Sequence, residues 1–295
     1  DQDRPEGTIR HEEPSGFTVA KTIVPLPGAR MTDALKTKRR RRSLQIRQVA
    51  PDSIMRWLRL GWRDFRRAGW PSLMHGLIVA VMSIVIIKIA LLFWPLLPGA
   101  VSGFLVVGPI LATGLYALSR QQGRGQQTSL GDVFNAWRCG SRCLLRFGLL
   151  LVLIATLWVV ISMTLFYLFV QTDINGPMDF LRYVFQQDDR IFMLWTLLAG
   201  LVAAVTFAIT VVSVPLLVDR EVTTPTALAT SVRAVGENPL TMALWALFIL
   251  VVTGFSLATF MVGFIVLYPV MGHASWHAYR DVVDPGNLAA RNPCA

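Results

Sequence analysis

Residues 103–120 read GFLVVGPILATGLYALSR, and residues 263–280 read GFIVLYPVMGHASWHAYR. Laid over one another without a gap, the two share Gly103 with Gly263, Phe104 with Phe264, Val106 with Val266, Pro109 with Pro269 and Arg120 with Arg280. Both copies lie in apolar runs long enough to cross a bilayer, and both finish on a basic residue. The chain therefore reads as a set of repeated membrane hairpins, all-α in class, whose function is to be sought in a bilayer.

Composition agrees. Of 295 residues, 54% are hydrophobic and 16% charged, with a mean hydropathy of +0.52. Soluble domains carry about 25% charged residues, and here the deficit is concentrated in long runs. The net charge of +10 is unevenly placed: Lys36, Lys38, Arg39, Arg40, Arg41 and Arg42 cluster, and Arg47, Arg56, Arg59, Arg63, Arg66 and Arg67 follow. Basic stretches suit nucleic-acid phosphates, but no nucleic-acid motif accompanies this one. Its position upstream of the first span suits topology control and anionic lipid headgroups. The expected partners are thus anionic lipid and other membrane subunits, with no nucleic acid. Cys139, Cys143 and Cys294 make no disulfide framework. Cys139 and Cys143 share a helix face, but two thiols alone are not a zinc site. No secretory signal pattern is visible, because the first strong apolar run starts near residue 72 and is too long and too late. Met31 is an alternative start that would make residues 1–30 an extension.

Six spans follow from the apolar runs, at about 72–94, 97–118, 147–170, 191–217, 239–256 and 259–279. Residues 1–50 read as a disordered basic tail and 285–295 as a C-terminal tail. At about 1.5 Å per residue the first span reaches roughly 34 Å, enough for a hydrocarbon core of about 30 Å. The run 239–279 would approach about 60 Å as one helix, too long for one crossing. It is split at a turn within Gly254–Thr259, the alternative being one span plus a horizontal or re-entrant helix. The loop 119–146 carries Arg120, Arg124, Arg138, Arg142 and Arg146 against Asp132, while 171–190 carries Asp173, Asp179, Asp188 and Asp189 against Arg182 and Arg190. The positive-inside rule then puts both termini in the cytoplasm; in a bacterium the acidic loop would face the periplasm.

Each hairpin is preceded by an amphipathic stretch. In 53–69, Ile54, Leu58, Trp62 and Phe65 form an apolar stripe among arginines, a pattern that suits the headgroup layer. In 130–146, Ser129 and Asp132 resemble a capping box, and Leu130, Phe134 and Trp137 would face the membrane. In 226–236, Thr224 is the expected N-cap with Pro225 at the first helical position, and Asn238-Pro239 ends the helix. Three helix-plus-hairpin units result, the outer two related by the shared motif and the middle one inferred.

Intramembrane ionisable groups are the default functional candidates, and there are few. Lys88 sits in the outer half of span one, where it would snorkel outward or face an ion path. No Asp or Glu falls within a predicted span, which weighs against cation-coupled transport. His273 and His277 share a face at the cytoplasmic end of span six, and His75 lies at comparable depth in span one. Such imidazoles suit haem or a metal; the plainer reading is an interfacial belt with Trp276 and Tyr279. No protein cofactor is expected, and no metalloprotease, esterase or phosphate-loop signature occurs. Pro109 and Pro269 would kink their helices and free carbonyls to line a cavity. Gly99, Gly103, Gly108 and Gly114 offer small faces for close helix contact.

The segments IRQVAPDSIMRWLRLGWRDFRRA, GFLVVGPILATGLYALSR, PTALATSVRAVGENPLTMALWALF and YPVMGHASWHAYRDVV, taken in order over about 45–284, resemble one bacterial, mainly proteobacterial family of predicted integral membrane proteins known as a domain of unknown function. The helix-before-hairpin pattern is similar, more weakly, to the membrane domain of some glycerophosphodiester phosphodiesterases, whose catalytic domain this chain lacks. The resemblance implies a polytopic inner-membrane protein and transfers no activity. The leading expectation is a non-enzymatic scaffold or accessory subunit of a larger, respiratory or photosynthetic, membrane complex. The alternatives are a transporter or channel for a small or lipidic solute, with a solvated cavity near Pro109 and Pro269, and a haem- or metal-binding redox component.

Overall fold

The computed structural model describes residues 44–92, 108–138, 142–169, 179, 190–286 and 288–291, all within the unit Arg42–Ala295. The tail up to residue 43, Gly99, Gly103, Phe104, Cys139, Cys294 and nearly all of the acidic loop lie outside these residues. The described elements are β1 (Gln45–Ile46), α1 (Ser53–Ala68), α2 (Trp70–Leu92), α3 (Thr113–Gln122), α4 (Leu130–Arg138), α5 (Arg142–Phe169), α6 (Arg190–Thr210), α7 (Ser213–Asp219), α8 (Thr224–Glu237), α9 (Pro239–Ala258), α10 (Phe264–Val282) and β2 (Val283–Asp284).

Among the described residues, Trp70–Leu92, Arg142–Leu165, Met193–Asp219 and Pro239–Ala258 are long and apolar enough to cross a membrane. Their outward faces carry exposed Val81, Ile86, Leu149, Leu153, Leu197 and Leu250, surfaces that only lipid or another apolar body satisfies. Of the expected span 97–118, only 108–118 is described. The expected span 259–279 corresponds to α10, which differs in kind. Twelve of its 19 residues are buried, including His273. It is less apolar because it faces protein on most sides.

The split of the last apolar run occurs later than Gly254–Thr259: α9 continues to Ala258 and the reversal occupies Thr259–Gly263. Phe260 and Met261 take positive φ of 50° and 67°. The Met261 amide donates to Ser256 O at 2.9 Å, and the Gly263 amide donates to Thr259 Oγ1 at 3.2 Å. A Cβ on Gly263 would stand 2.9 Å from the Ser256 backbone, so the motif glycine is required by the tightness of this turn.

α1 and α2 both pack on α10. The buried face of α1 is Ile54, Trp57, Gly61, Asp64 and Ala68, spaced three and four apart, while Trp62 is 47% exposed. The expected stripe through Trp62 is thus rotated. A scan for apolar residues passes over Gly61, yet a Cβ there would stand 2.7 Å from Ala274 N and Val270 O, so the glycine sets how closely α1 approaches α10. At the α2–α10 crossing, a Cβ on Gly76 would overlap Ile265 O and lie 2.8 Å from Pro269 Cγ. Pro269 has no N–H for the carbonyl four residues back, which is that of Ile265. Gly76 sets an α-hydrogen against this orphaned oxygen, a weak Cα–H···O contact. The freed carbonyl of Ile265 is therefore covered by a neighbouring helix.

Residues 44–50, expected in the tail, belong to the fold. Gln45 pairs with Asp284 and Ile46 with Val283 in an antiparallel ladder, a small β addition to the helical class. Asn238 accepts the Val49 amide at 2.8 Å and donates to Arg47 O at 3.1 Å, and Thr241 donates to Val49 O at 2.8 Å. The cap of α8 is Thr223, one residue before the expected Thr224, and its side chain accepts from the Thr226 amide. Ser129 donates its amide to Asp132 at 2.7 Å, one half of the expected capping box; its hydroxyl donates to the same carboxylate at 2.8 Å instead of accepting the Asp132 amide, which goes to Ser129 O.

Gly76→Ala is expected to lower stability by about 1–3 kcal/mol through overpacking against a backbone carbonyl. Gly254→Ala, at a helical position with nothing within 4 Å, should leave it unchanged or raise it by up to ~1 kcal/mol. Thermal unfolding of both variants in one neutral detergent compares them directly.

Candidate functional site

The site is built on Asp219, the last residue of α7, which is 3% exposed. Arg120 Nε lies 3.2 Å from its Oδ1; Arg220 Nε and Arg280 Nη1 lie 3.1 and 3.3 Å from its Oδ2. The Tyr279 hydroxyl donates to Oδ2 at 2.9 Å. The Asp219 carbonyl accepts the Arg291 amide at 3.0 Å and Arg120 Nη2 at 3.2 Å. The expected C-terminal tail is thereby part of the site: Arg220 also donates to Leu288 O, and Arg291 to Leu217 O.

The two sequence motifs meet in register. Positions 160 apart face one another: Tyr268 donates its hydroxyl to Gly108 O at 2.8 Å, Tyr116 stacks on Trp276 at 6.5 Å, and Arg120 and Arg280 share Asp219. Leu115 of α3 fills the space a Cβ would need at Gly272 of α10. The basic residue ending each copy is thus one half of a clasp on a single carboxylate.

Beside the clasp runs a buried polar chain. His277 Nε2 lies 2.8 Å from Asp64 Oδ2, and Ser119 Oγ donates to the same oxygen at 2.9 Å. Ser119 Oγ is 2.7 Å from His273 Nδ1, and Ser72 Oγ is 2.8 Å from His273 Nε2. An ionised Asp64 only accepts, which fixes every proton. Ser119 gives its hydrogen to Asp64 and so accepts from His273 Nδ1–H. His273 Nε2 then accepts from Ser72, and His277 donates through Nε2. All four bonds point toward Asp64. Burial is the largest single influence on that carboxyl and pushes it up; the hydrogen bonds and charge of His277, the Ser119 bond and the nearby His273 together outweigh it and hold it below the usual carboxylate range.

Asp64 and Asp219 are on the walls of one cavity of about 360 Å³. Arg63, Arg67, Arg120, Arg124, Arg220 and Arg280 line it as well, with His277 and Trp276. Six guanidiniums against two carboxylates leave an excess of four positive charges. Burial first, then Arg124, press Arg120 below the ordinary guanidinium value; Asp219 opposes them, and Arg220 and Arg291 add to the pressure. It nonetheless stays charged. A second cavity of about 500 Å³ is apolar and is walled by Pro109, Tyr116, Trp158, Ala203, Ala246 and Tyr268 among others.

The sequence candidates divide. Arg120, Arg280 and His277 are at the pocket, and His273 is the centre of the polar chain. Both ring nitrogens of His273 are engaged, and His277 is held on Asp64. His75 is buried and stacks parallel to Tyr268 at 6.0 Å. Among the described residues no group of three His, Cys, Asp or Glu is placed to hold a metal ion. Lys88 is exposed on α2, and Cys143 is a free, half-buried thiol. Asp64 and Asp219 were missed. The signals were present: Asp64 is the one acid among five arginines of α1, and Asp219-Arg220 directly follows the expected end of span four.

Long apolar helices with lipid-suited faces, closed at one end by charged clasps, define an integral membrane protein. A family profile described as "Predicted integral membrane protein (DUF2189)" matches residues 96–219, which run from the expected second span to the clasp aspartate. No curated protein and no solved structure matches the chain.

Asp219→Asn should cost about 3–5 kcal/mol, because it leaves three guanidiniums around a group without charge. Arg280→Gln, whose side chain is 46% exposed, should cost under about 1 kcal/mol. Asp64 titrates lower folded than unfolded, so its stabilisation is complete above the ordinary carboxylate value of about 4 and disappears as pH falls through the lower folded value. Asp64→Asn should remove that acid limb from the pH dependence of chemical denaturation.

Proposed function

We propose that the chain is a non-enzymatic bacterial inner-membrane protein, both ends cytoplasmic, whose working site is the arginine pocket and whose ligand is a phosphate-type anion. The observation that carries this is the uncompensated charge: six guanidiniums share the cavity with two carboxylates, of which Asp219 holds Arg120, Arg220 and Arg280 and Asp64 stands 3.9 Å from Arg63. Planar, forked donors match phosphate oxygens two at a time. Asp219 orients the forks of Arg120, Arg220 and Arg280 before any ligand arrives, which reduces the ordering cost of binding.

Contacts at one end of the bundle support the hairpin arrangement. Segment 44–50, residues 119–124, residues 219–223, Asn238 and residues 281–291 are tied together there. Between these tie points the chain leaves and returns three times, as three hairpins require. The basic content of this end supports a cytoplasmic orientation. The in-register meeting of the two motif copies supports the internal repeat.

An accessory-subunit reading draws on a lack of buried carboxylates, Gly-rich faces and interfacial basic helices. Two buried aspartates, a Gly114 packed within 2.8 Å of Val133 once a Cβ is added, and an α1 docked on α10 use those features inside the fold. The redox reading is weakened by the engaged His273 nitrogens.

Purified full-length chain in neutral detergent should bind inorganic phosphate saturably by calorimetry. The affinity should fall with salt, and at least tenfold in R63Q/R124Q. Phosphate binding that this double variant leaves unchanged would remove the proposal, and a stoichiometric protein partner in gentle-detergent eluates would return weight to the accessory-subunit reading.

A further inference from the structure

We infer that the arginine pocket and the apolar cavity are two halves of one site for a phosphate-bearing lipid, the phosphate among the arginines and an acyl chain in the cavity. This inference rests on the anion reading above.

The two cavities are consecutive along the same helices. On α10, Gly272 and Ser275 face the apolar cavity, while Trp276, His277 and Arg280 face the pocket. On α3, Tyr116 belongs to the first, and Ser119 and Arg120 to the second. The partition is the stacked pair Tyr116–Trp276, one ring in each wall.

The depth of the apolar cavity suits a chain. Its walls come from α5 through Trp158, α6 through Ala203 and α9 through Ala246, three helices long enough to cross a bilayer. A Cβ on Gly108 or Gly200, both in the wall, would meet nothing within 4 Å, and Gly200 is exposed, so the cavity is open on that side. At about 500 Å³ it falls within the size range of small-molecule sites. A soluble anion has no use for this space, and an uncharged lipid has no use for the excess of guanidiniums. A phosphate-bearing lipid uses both, and at one end of the bundle its phosphate would sit level with headgroups while its chain stays at hydrocarbon depth.

The test compares three probes on the full chain in neutral detergent, by native mass spectrometry and thermal stabilisation: phosphatidic acid, its chain-free head glycerol 3-phosphate, and diacylglycerol. Phosphatidic acid should bind at least tenfold tighter than either of the others. Ala203→Phe, which plugs the cavity, should lower phosphatidic acid affinity at least tenfold, and so should R63Q/R124Q. Ala246→Phe plugs the same space from another helix, so a folding defect in one variant, seen as a lowered Tm without ligand, does not decide the result. Equal affinities for phosphatidic acid and glycerol 3-phosphate, or unchanged phosphatidic acid binding in both plugged variants, overturns the lipid inference while leaving a free-phosphate site. If R63Q/R124Q leaves the binding of every phosphate probe unchanged, the anion reading itself falls.

Discussion

The buried carboxylate of Asp219 is the constraint on which this fold turns. Helices in lipid have no hydrophobic drive to associate, since acyl chains are as apolar as leucine. Something else must set which helix ends meet and at what height. Asp219 does so by drawing in Arg120 from α3, Tyr279 and Arg280 from α10, Arg220 from its own connection and the backbone of Arg291. A buried charge is tolerated only when paired and hydrogen-bonded, so this carboxylate must recruit all of these groups. Asn238 performs a similar service without charge, joining residues 47–49 to the start of α9.

The motif that announced the fold has a separate physical cause at three positions of its second copy. Gly263 allows the chain to reverse against Ser256. Pro269 leaves Ile265 O without a donor, and that oxygen is where Gly76 lets α2 come closest. Arg280 reaches the clasp. Because the copies run parallel and meet at equivalent heights, Tyr268 finds Gly108 and Tyr116 finds Trp276. Shared sequence here reflects shared contacts, each copy supplying half of a common interface.

Apolar runs were legible because hydropathy is a local property, and four of the expected spans appear close to their expected limits. What was not legible depends on partners distant in sequence. Arg120 and Arg280 stood out as the ends of a repeat, but the acid that gives them meaning lies 99 residues from the one and 61 from the other. The face of α1 was misassigned because Gly61 and Asp64 carry no apolar signal, though they face the core and Trp62 does not. The α9–α10 turn fell late because its signal lies in the Thr259 hydroxyl, which accepts the Gly263 amide, and in the Ser256 carbonyl, which accepts the Met261 amide, rather than in a glycine at its start.

The arrangement of charge at the clasp is not what stability alone would select. Two acids would be held adequately by two or three partners, and replacing a buried ion cluster with apolar side chains is often neutral or better. Here the acids are satisfied twice over, Asp64 by His277, Ser119 and, at 3.9 Å, Arg63, and Asp219 by three arginines and a tyrosine, while Arg67 and Arg124 face the same cavity from its exposed side. The hydrogen bonds of the Ser72–His273–Ser119 chain all run toward Asp64, so its negative charge is already spent on the protein. No further carboxylate is on the wall to answer the remaining arginines. Asp219 thus acts as a positioning group within a positive surface, and the complement proposed for that surface, the phosphate of a lipid, is abundant at a membrane edge.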